Sequence, residues 1–246
     1  MPFDLSLTHT AALSIALLGA AYVRGYSGFG FSAIFIAFAA LITNPLPLIP
    51  VVFACEIIMT LLQARGIVGH VDWKRVGALL LGAAIVLPFA VSFILTVGEA
   101  SVRAIVSAIV FIMSLILLTG WTITRRIPLP GFIGVGGLSG LLNAAGIGGL
   151  PVAAFLTAQP IAAPVFRATM IVYLFGLDVI TLPLMWHGGL VTWDTAIAAA
   201  YAFPLIALGV WLGGRQFLSA SPTTFRRFAV MLLLALSLLG LIRAFL

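Results

Sequence analysis

Charged side chains are scarce in this chain. Only 7% of its 246 residues are Asp, Glu, Lys or Arg, where a soluble domain carries roughly 25%. With 63% apolar residues, there is too little polar surface to coat a water-soluble particle of this size, and lipid must serve as solvent. Acidic residues are rarer still, six against twelve basic ones. In a polar chain the formal net charge of +6 would point to nucleic acid. In one this apolar, the arginines read better as cytoplasmic charges that orient helices, and no nucleic-acid partner is expected. Cysteine occurs once, at Cys55, which excludes an internal disulfide framework. Three scattered histidines and that cysteine cannot build a usual metal site. The opening Met-Pro-Phe-Asp lacks the basic region of a secretory signal, so the first apolar segment is expected to be retained. No run reads as a linker to a soluble domain. Residues 1–246 are therefore expected to form a single all-α, polytopic membrane domain.

The apolar runs are 9–23, 31–42, 46–63, 76–97 and 104–121, then 131–142, 150–158, 164–186, 195–213 and 228–246. Two glycine-rich stretches interrupt them: Gly25-Tyr-Ser-Gly-Phe-Gly-Phe-Ser32 and Asn143-Ala-Ala-Gly146-Ile-Gly148-Gly149. The segments flanking each stretch are short. At about 1.5 Å per residue, 12 to 15 residues reach roughly 18 to 22 Å, less than a ~30 Å hydrocarbon core. Each pair is either one broken span or a hairpin that returns to its starting face. Charge decides between them. The connection 64–75 holds Arg65, Lys74 and Arg75, 122–130 holds Arg125 and Arg126, and 214–227 holds Arg215, Arg226 and Arg227. All should be cytoplasmic, while 98–103 and 187–194 should face out. Only the hairpin reading puts Arg215, Arg226 and Arg227 inside. It also places the first hairpin on the outer side, with both termini outside.

The outcome is two halves of one plan, 1–121 and 131–246. Each is a glycine-broken helical hairpin plus three transmembrane helices, in inverted orientation, as in many secondary transporters. Gly28-x-Gly30 corresponds to Gly146-x-Gly148, and Gly69-x-Val71-x-Trp73 to Gly189-x-Val191-x-Trp193. Chance similarity among apolar helices is the competing explanation. Trp73 and Trp193 are expected at the membrane interface.

Interrupted backbone survives in a membrane only inside protein or beside a water-filled cavity. In the hairpin reading, each second arm presents its N-terminal N–H groups toward the membrane middle, where an anion can bind. Gly28, Gly30, Gly146, Gly148 and Gly149 let the backbone come close to a ligand. Ser27 could cap the first arm or hydrogen-bond a ligand oxygen, Asn143 could do similar work in the other hairpin, and Arg24 adds a full positive charge. The bland alternatives are close helix packing by small residues and an Arg24 that snorkels to the inner interface. Arg167, four residues into its run, could reach a substrate or simply sit at a helix end. Glu56 and Asp178 fall mid-span. Either could carry a proton, or be a paired structural carboxyl. Gln63 and Tyr173 are weaker candidates.

Gly-x-Ser-Gly occurs at 25–28 and at 137–140, the pattern around an intramembrane-protease serine. A serine nucleophile needs a base within hydrogen-bond reach. His9, His70 and His187 all fall near helix ends or in loops, so an intramembrane serine hydrolase is the weakest reading and no enzyme is expected.

The motifs SGFGFS and NAAGIGGLP, each opening one half, combine with Pro164-x-x-Arg167-Ala168-Thr169 and the two Gly-x-Val-x-Trp elements. In this order the chain resembles the TauE/SafE sulfite-exporter-like membrane proteins over nearly its whole length. The resemblance implies transport of a sulfur-containing anion, sulfite or an organosulfonate. One departure counts: GFGFS stands where that family usually has a denser glycine run, so the first tip is expected to hold a ligand less closely than the second. The reading is a secondary transporter, an exporter by resemblance, with the anion at the membrane midplane between the hairpin tips. A passive anion channel is the alternative. The expected partners are a small anionic substrate and membrane lipid, with a homo-oligomer left open. No cofactor is implied, and the expected location is a bacterial inner (plasma) membrane.

Overall fold

The structure is a computed structural model that describes residues 3, 5–120, 122–123, 127–217, 231, 234 and 238. Arg125, Arg126, Arg226, Arg227 and most of the run 228–246 lie outside the described residues. Those described form helices and no strands: α1 Leu7–Ser27, α2 Phe31–Ile42, α3 Ile49–Gln63, α4 Trp73–Ile94, α5 Glu99–Thr119, α6 Leu129–Asn143, α7 Gly149–Thr157, α8 Ala163–His187 and α9 Trp193–Phe217. Among the described residues, five segments are long and apolar enough to cross a membrane: Leu46–Gly66, Trp73–Ile94, Ala100–Thr119, Ala163–His187 and Trp193–Phe217.

The run 31–42 is reproduced without change, and most other runs gain or lose a few residues at their ends. For the first run the added residues change the argument. α1 has 21 residues, about 31 Å of rise, and so is long enough to span. The length argument therefore fails for this arm, while it holds for α2 with 12 residues, α6 with 15 and α7 with 9. The extension has local causes. At the start, the Ser6 hydroxyl accepts the His9 amide at 3.2 Å, an N-cap of the usual kind. At the end, the helix runs on through Arg24 and Gly25 because α9 lies against it: a methyl on Gly25 would sit 2.6 Å from the Val210 carbonyl oxygen. It stops at Gly28, whose φ of 84° belongs to the left-handed region that glycine alone adopts freely.

Both glycine-broken pairs fold back on themselves. In the second, the Phe132 ring near the start of α6 meets Phe155 near the end of α7, edge to face, with centroids 5.2 Å apart. The Ile123 amide ahead of α6 donates to the Ala158 carbonyl just after α7, at 2.7 Å. In the first, Phe35 of α2 lines one cavity with Leu13 and Leu17 of α1, so α2 runs back along α1.

The loops sort into two ends. At one end the Asp72 amide donates to the Thr169 hydroxyl at 3.1 Å, and the Arg75 guanidinium lies 5.6 Å over the Phe132 ring. Arg215 stacks 3.9 Å over Trp211 there. At the other end the Phe3 amide donates to the Asp194 carboxylate at 3.1 Å. There, too, a methyl on Gly188 would lie 2.8 Å from the Leu95 side chain. Arg65, Lys74, Arg75 and Arg215 thus share one end, and Asp194 marks the opposite one.

Two close crossings tie the halves together. α1 packs against α9, and α6 against α4. In the first, a methyl on Gly209 would stand 2.7 Å from Ala21 Cβ, and Gly213 rides directly on the Tyr22 carbonyl. In the second, Gly82 rides on the Ile133 carbonyl and Gly136 on the Leu79 carbonyl, while a methyl on Gly140 would lie 2.8 Å from the Ala83 carbonyl oxygen. Small residues let membrane helices approach this closely. The two Gly-x-Val-x-Trp elements lead into α4 and α9, the two helices used for these crossings. α3 packs on both α8 and α9 and completes the interior.

Candidate functional site

An arginine in an apolar bundle is costly unless it is paired, and Arg24 finds its partners on α3. Its side chain is 0% exposed and that of Glu56 1%, with Nη1 3.3 Å from the Glu56 carboxylate. Nη2 donates to the Thr60 hydroxyl at 2.9 Å, and that hydroxyl donates to the Glu56 carbonyl one turn back, at 2.9 Å. Arg24 therefore points into the bundle, and the snorkelling alternative does not hold. The pairing is incomplete. Arg24 Nε and Nη1 and one Glu56 oxygen are buried without an aligned hydrogen bond among the described residues. The 3.3 Å contact is an ion pair rather than a directed bond.

Asp178, mid-way along α8, is also fully buried. It lies close enough to Glu56, Arg24 and Asn143 to feel the charge or dipole of each, while neither of its oxygens makes a well-aligned hydrogen bond among the described residues. Two carboxyl groups and one guanidinium from three helices thus share the buried centre of the molecule.

The second glycine stretch borders this cluster. Asn143, the last residue of α6, donates through Nδ2 to the Thr181 hydroxyl at 3.0 Å, which donates on to the Leu177 carbonyl at 2.7 Å. One turn earlier, Ser139 donates to the Gly148 carbonyl at 2.5 Å and receives the Tyr173 hydroxyl at 2.6 Å. Gly148 lies under the Asn143 side chain, whose oxygen would be 2.6 Å from a methyl there. Gly146 packs near Ile36 and Ile49, and Gly149 on Leu174.

The first glycine stretch sits elsewhere. The Ser27 hydroxyl lies 2.8 Å from both the Val23 and the Phe29 carbonyl oxygens and 3.3 Å from the Phe29 amide. It serves the helix end locally. Gly30, with φ 92°, opens α2. Arg167 donates twice to the Gly25 carbonyl, at 3.2 and 2.7 Å, and a methyl on Gly28 would press on its backbone carbonyl at 2.9 Å. The Arg167 guanidinium lies 4.9 Å over the Phe217 ring. It also lines a cavity of about 480 Å³ with Gln63, Trp211 and Arg215, at the basic end of the bundle.

The structure therefore brings Arg24, Glu56, Asp178 and Asn143 together. It brings Gly28 to Arg167 in a separate place. Measured along α8, the break at Gly28 lies level with Arg167. The second break runs from the level of Leu174 to that of Thr181, about 10 to 21 Å further on. Asp178 of the central cluster, about 16 Å along α8 from Arg167, lies level with the second break. Thr60 and Thr181 escaped the sequence reading. The signal for them was spacing: Glu56, Thr60 and Gln63 stand at i, i+4 and i+7, and Asp178 and Thr181 at i and i+3, each set on one helix face. Ser27 and Ser139 of the two Gly-x-Ser-Gly stretches bond to backbone carbonyls and to Tyr173.

No curated protein and no solved structure matches the chain. The family model described as Sulfite exporter TauE/SafE matches residues 13–239, a stretch that takes in both glycine breaks, the buried Arg24–Glu56–Asp178 cluster and Arg167. The chain therefore belongs to the Sulfite exporter TauE/SafE family.

Proposed function

We propose that this protein is a secondary transporter of a small sulfur-containing anion, sulfite or an organosulfonate, and that Arg24 is the anion's main partner. The observation that carries the reading is a guanidinium held in the buried interior with Nε and Nη1 making no aligned hydrogen bond. Sulfur oxyanions supply acceptors of matching charge and geometry. Asn143 and the backbone around Gly146, Gly148 and Gly149 would border the anion from the second hairpin. Ser27, Gly28 and Gly30 would shape the first break, and Arg167 with Arg215 would draw the anion into the cavity at the basic end. Glu56 and Asp178 would carry the coupled proton.

The positive-inside rule makes that end cytoplasmic and puts both termini outside, in the inner membrane of a bacterium. The family's description favours export. The pairing of α1 with α9 and of α6 with α4 supports reading the halves as inverted repeats, since each first helix crosses the fourth helix of the other half. Alternating access would then rock one half against the other.

The test is transport by purified protein in proteoliposomes. Sulfite, sulfoacetate, taurine, sulfate and acetate are offered with and without an inward proton gradient. Saturable, gradient-driven movement of a sulfur anion, lost in Arg24→Ala while the variant still runs as a folded protein on size exclusion, is the expected result. Wild-type affinity in that variant would sink the site assignment. Gradient-independent flux would mark a passive channel.

A further inference from the structure

The central cluster sets a charge balance that limits what it can carry. Its buried cation is Arg24, which has two buried carboxyl groups for neighbours, Glu56 and Asp178. Among the described residues, the other groups near it are neutral hydrogen-bonding or thiol side chains: Thr60 and Cys55 from α3, Asn143 from α6, and Tyr173 and Thr181 from α8. Helices α2 and α7 carry no titratable residue, and α9 has none between Tyr201 and Arg215. Among the described residues, Arg167 is the further cation that feels the charge of Arg24, and it is committed to the Gly25 carbonyl and the Phe217 ring. One guanidinium can balance one negative charge. A second left unbalanced in a dry interior is expensive.

We propose that Glu56 is a built-in stand-in for the substrate: an entering anion displaces its carboxylate from Arg24, the displaced carboxylate takes up one proton from water, and the cluster therefore carries a compact monoanion together with one proton while rejecting compact dianions. This rests on the reading of Arg24 as the anion's partner. The geometry supports displacement. The Arg24–Glu56 contact is an unaligned ion pair at 3.3 Å, whereas Thr60 holds the guanidinium by a directed bond at 2.9 Å. Glu56 can leave while Arg24 stays aimed at the centre. Asp178, beside Glu56, offers the released carboxyl a partner for its proton. The charge count balances at each step when Asp178 keeps its own proton throughout. With Asp178 neutral, Arg24 with ionised Glu56 is neutral, and so is Arg24 with a bound monoanion and protonated Glu56. A dianion in the same place leaves one negative charge over. The substrate class is thus hydrogensulfite or a simple sulfonate, rather than sulfate or the sulfite dianion. Export then requires an anion gradient steep enough to carry its proton outward.

The experiment uses purified full-length protein in proteoliposomes with methanesulfonate, a monoanion throughout the working pH range, and sulfate, a compact dianion. A potassium diffusion potential sets the voltage. Expected for the wild type is methanesulfonate uptake that a proton gradient drives uphill and that voltage leaves unchanged, with sulfate disfavoured by at least about a hundredfold. In Glu56→Gln, methanesulfonate should bind more tightly, and its flux should follow voltage and ignore the proton gradient. Sulfate moving as fast as methanesulfonate, or voltage-driven flux in the wild type, overturns the inference and leaves the transport reading standing. If neither anion moves, the transport reading falls and takes the inference with it. The wild-type comparisons decide the matter even if Glu56→Gln does not fold.

Discussion

The two hairpins are built from the same parts and end with different duties. Each has a longer arm, a glycine break and a shorter returning arm, and each longer arm crosses a helix of the other half over glycines. In the first, α1 carries a guanidinium one turn before its break, and that guanidinium reaches across to Glu56 and Thr60 on α3. In the second, α6 carries an amide and a hydroxyl, Asn143 and Ser139, whose bonds run to α8 and within the hairpin. The first hairpin delivers charge to the centre, and the second delivers neutral hydrogen bonds. Two hairpins of like parts need not share a duty, because the side chain at each position decides whether it binds, balances or merely packs.

That comparison can be broken most directly at its charged member. Arg24→Gln should weaken binding of a sulfur anion to purified protein by roughly 100-fold or more, the usual scale for losing one partner of a buried charged contact. A loss no larger than that of Asn143→Ala would erase the distinction between the hairpins. The crossings are the next test, this time of likeness. Gly213→Ala on the α1–α9 side and Gly136→Ala on the α4–α6 side should each cost about 1 to 3 kcal/mol from overpacking, read as a lower midpoint of thermal unfolding in detergent. A large loss for one and none for the other would mean that the crossings are not equivalent.

Asn143→Ala removes a neutral bond to Thr181 and should cost about 1 kcal/mol, or several-fold in anion affinity. Arg167→Gln should leave equilibrium affinity within about threefold while slowing uptake and flattening its salt dependence, because a charge at a site's rim acts mainly on the rate of encounter. Initial rates at several salt concentrations would show this, and a loss of affinity matching that of Arg24→Gln would place Arg167 in the site itself. Ser27→Ala should change least. Its hydroxyl bonds only to nearby backbone, so transport should stay within about twofold of wild type. Abolished transport would return that serine to the centre of the mechanism.

Much of this organisation was legible before any coordinates. The runs 31–42 and 150–158 lie within a residue or so of α2 and α7, because helices in lipid are bounded by composition and by breakers such as Asn44-Pro45 and Gln159-Pro160, which act locally. The loop charges sorted to two ends for the same reason. Arg24, Glu56 and Asp178 stood out as rare charges inside apolar runs, where a charge has to have a partner. What misled was the end of α1. Arg24, Gly25 and Ser27 read locally as a break, yet they are helical because α9 packs against Gly25 so closely that the helix is held there. Thr60 and Thr181 went unnoticed because a threonine in an apolar run is ordinary until a charged neighbour on another helix gives its hydroxyl something to do.

The sequence alone determined the solvent, the helices, the sorting of loops by charge and the short list of side chains that could do chemistry. Those properties depend on hydrophobicity, local breakers and counts of charge, which need no knowledge of what touches what. Only the tertiary structure decided that Arg24 turns inward to Glu56 and not outward to the interface. It also decided that Asp178 joins them from α8, and that the second glycine break lies beside this cluster while the first lies beside Arg167. Those outcomes depend on which helices cross and at what height. Crossings are set by glycine faces from distant parts of the chain fitting together, a property of pairs of surfaces that no single stretch of residues contains.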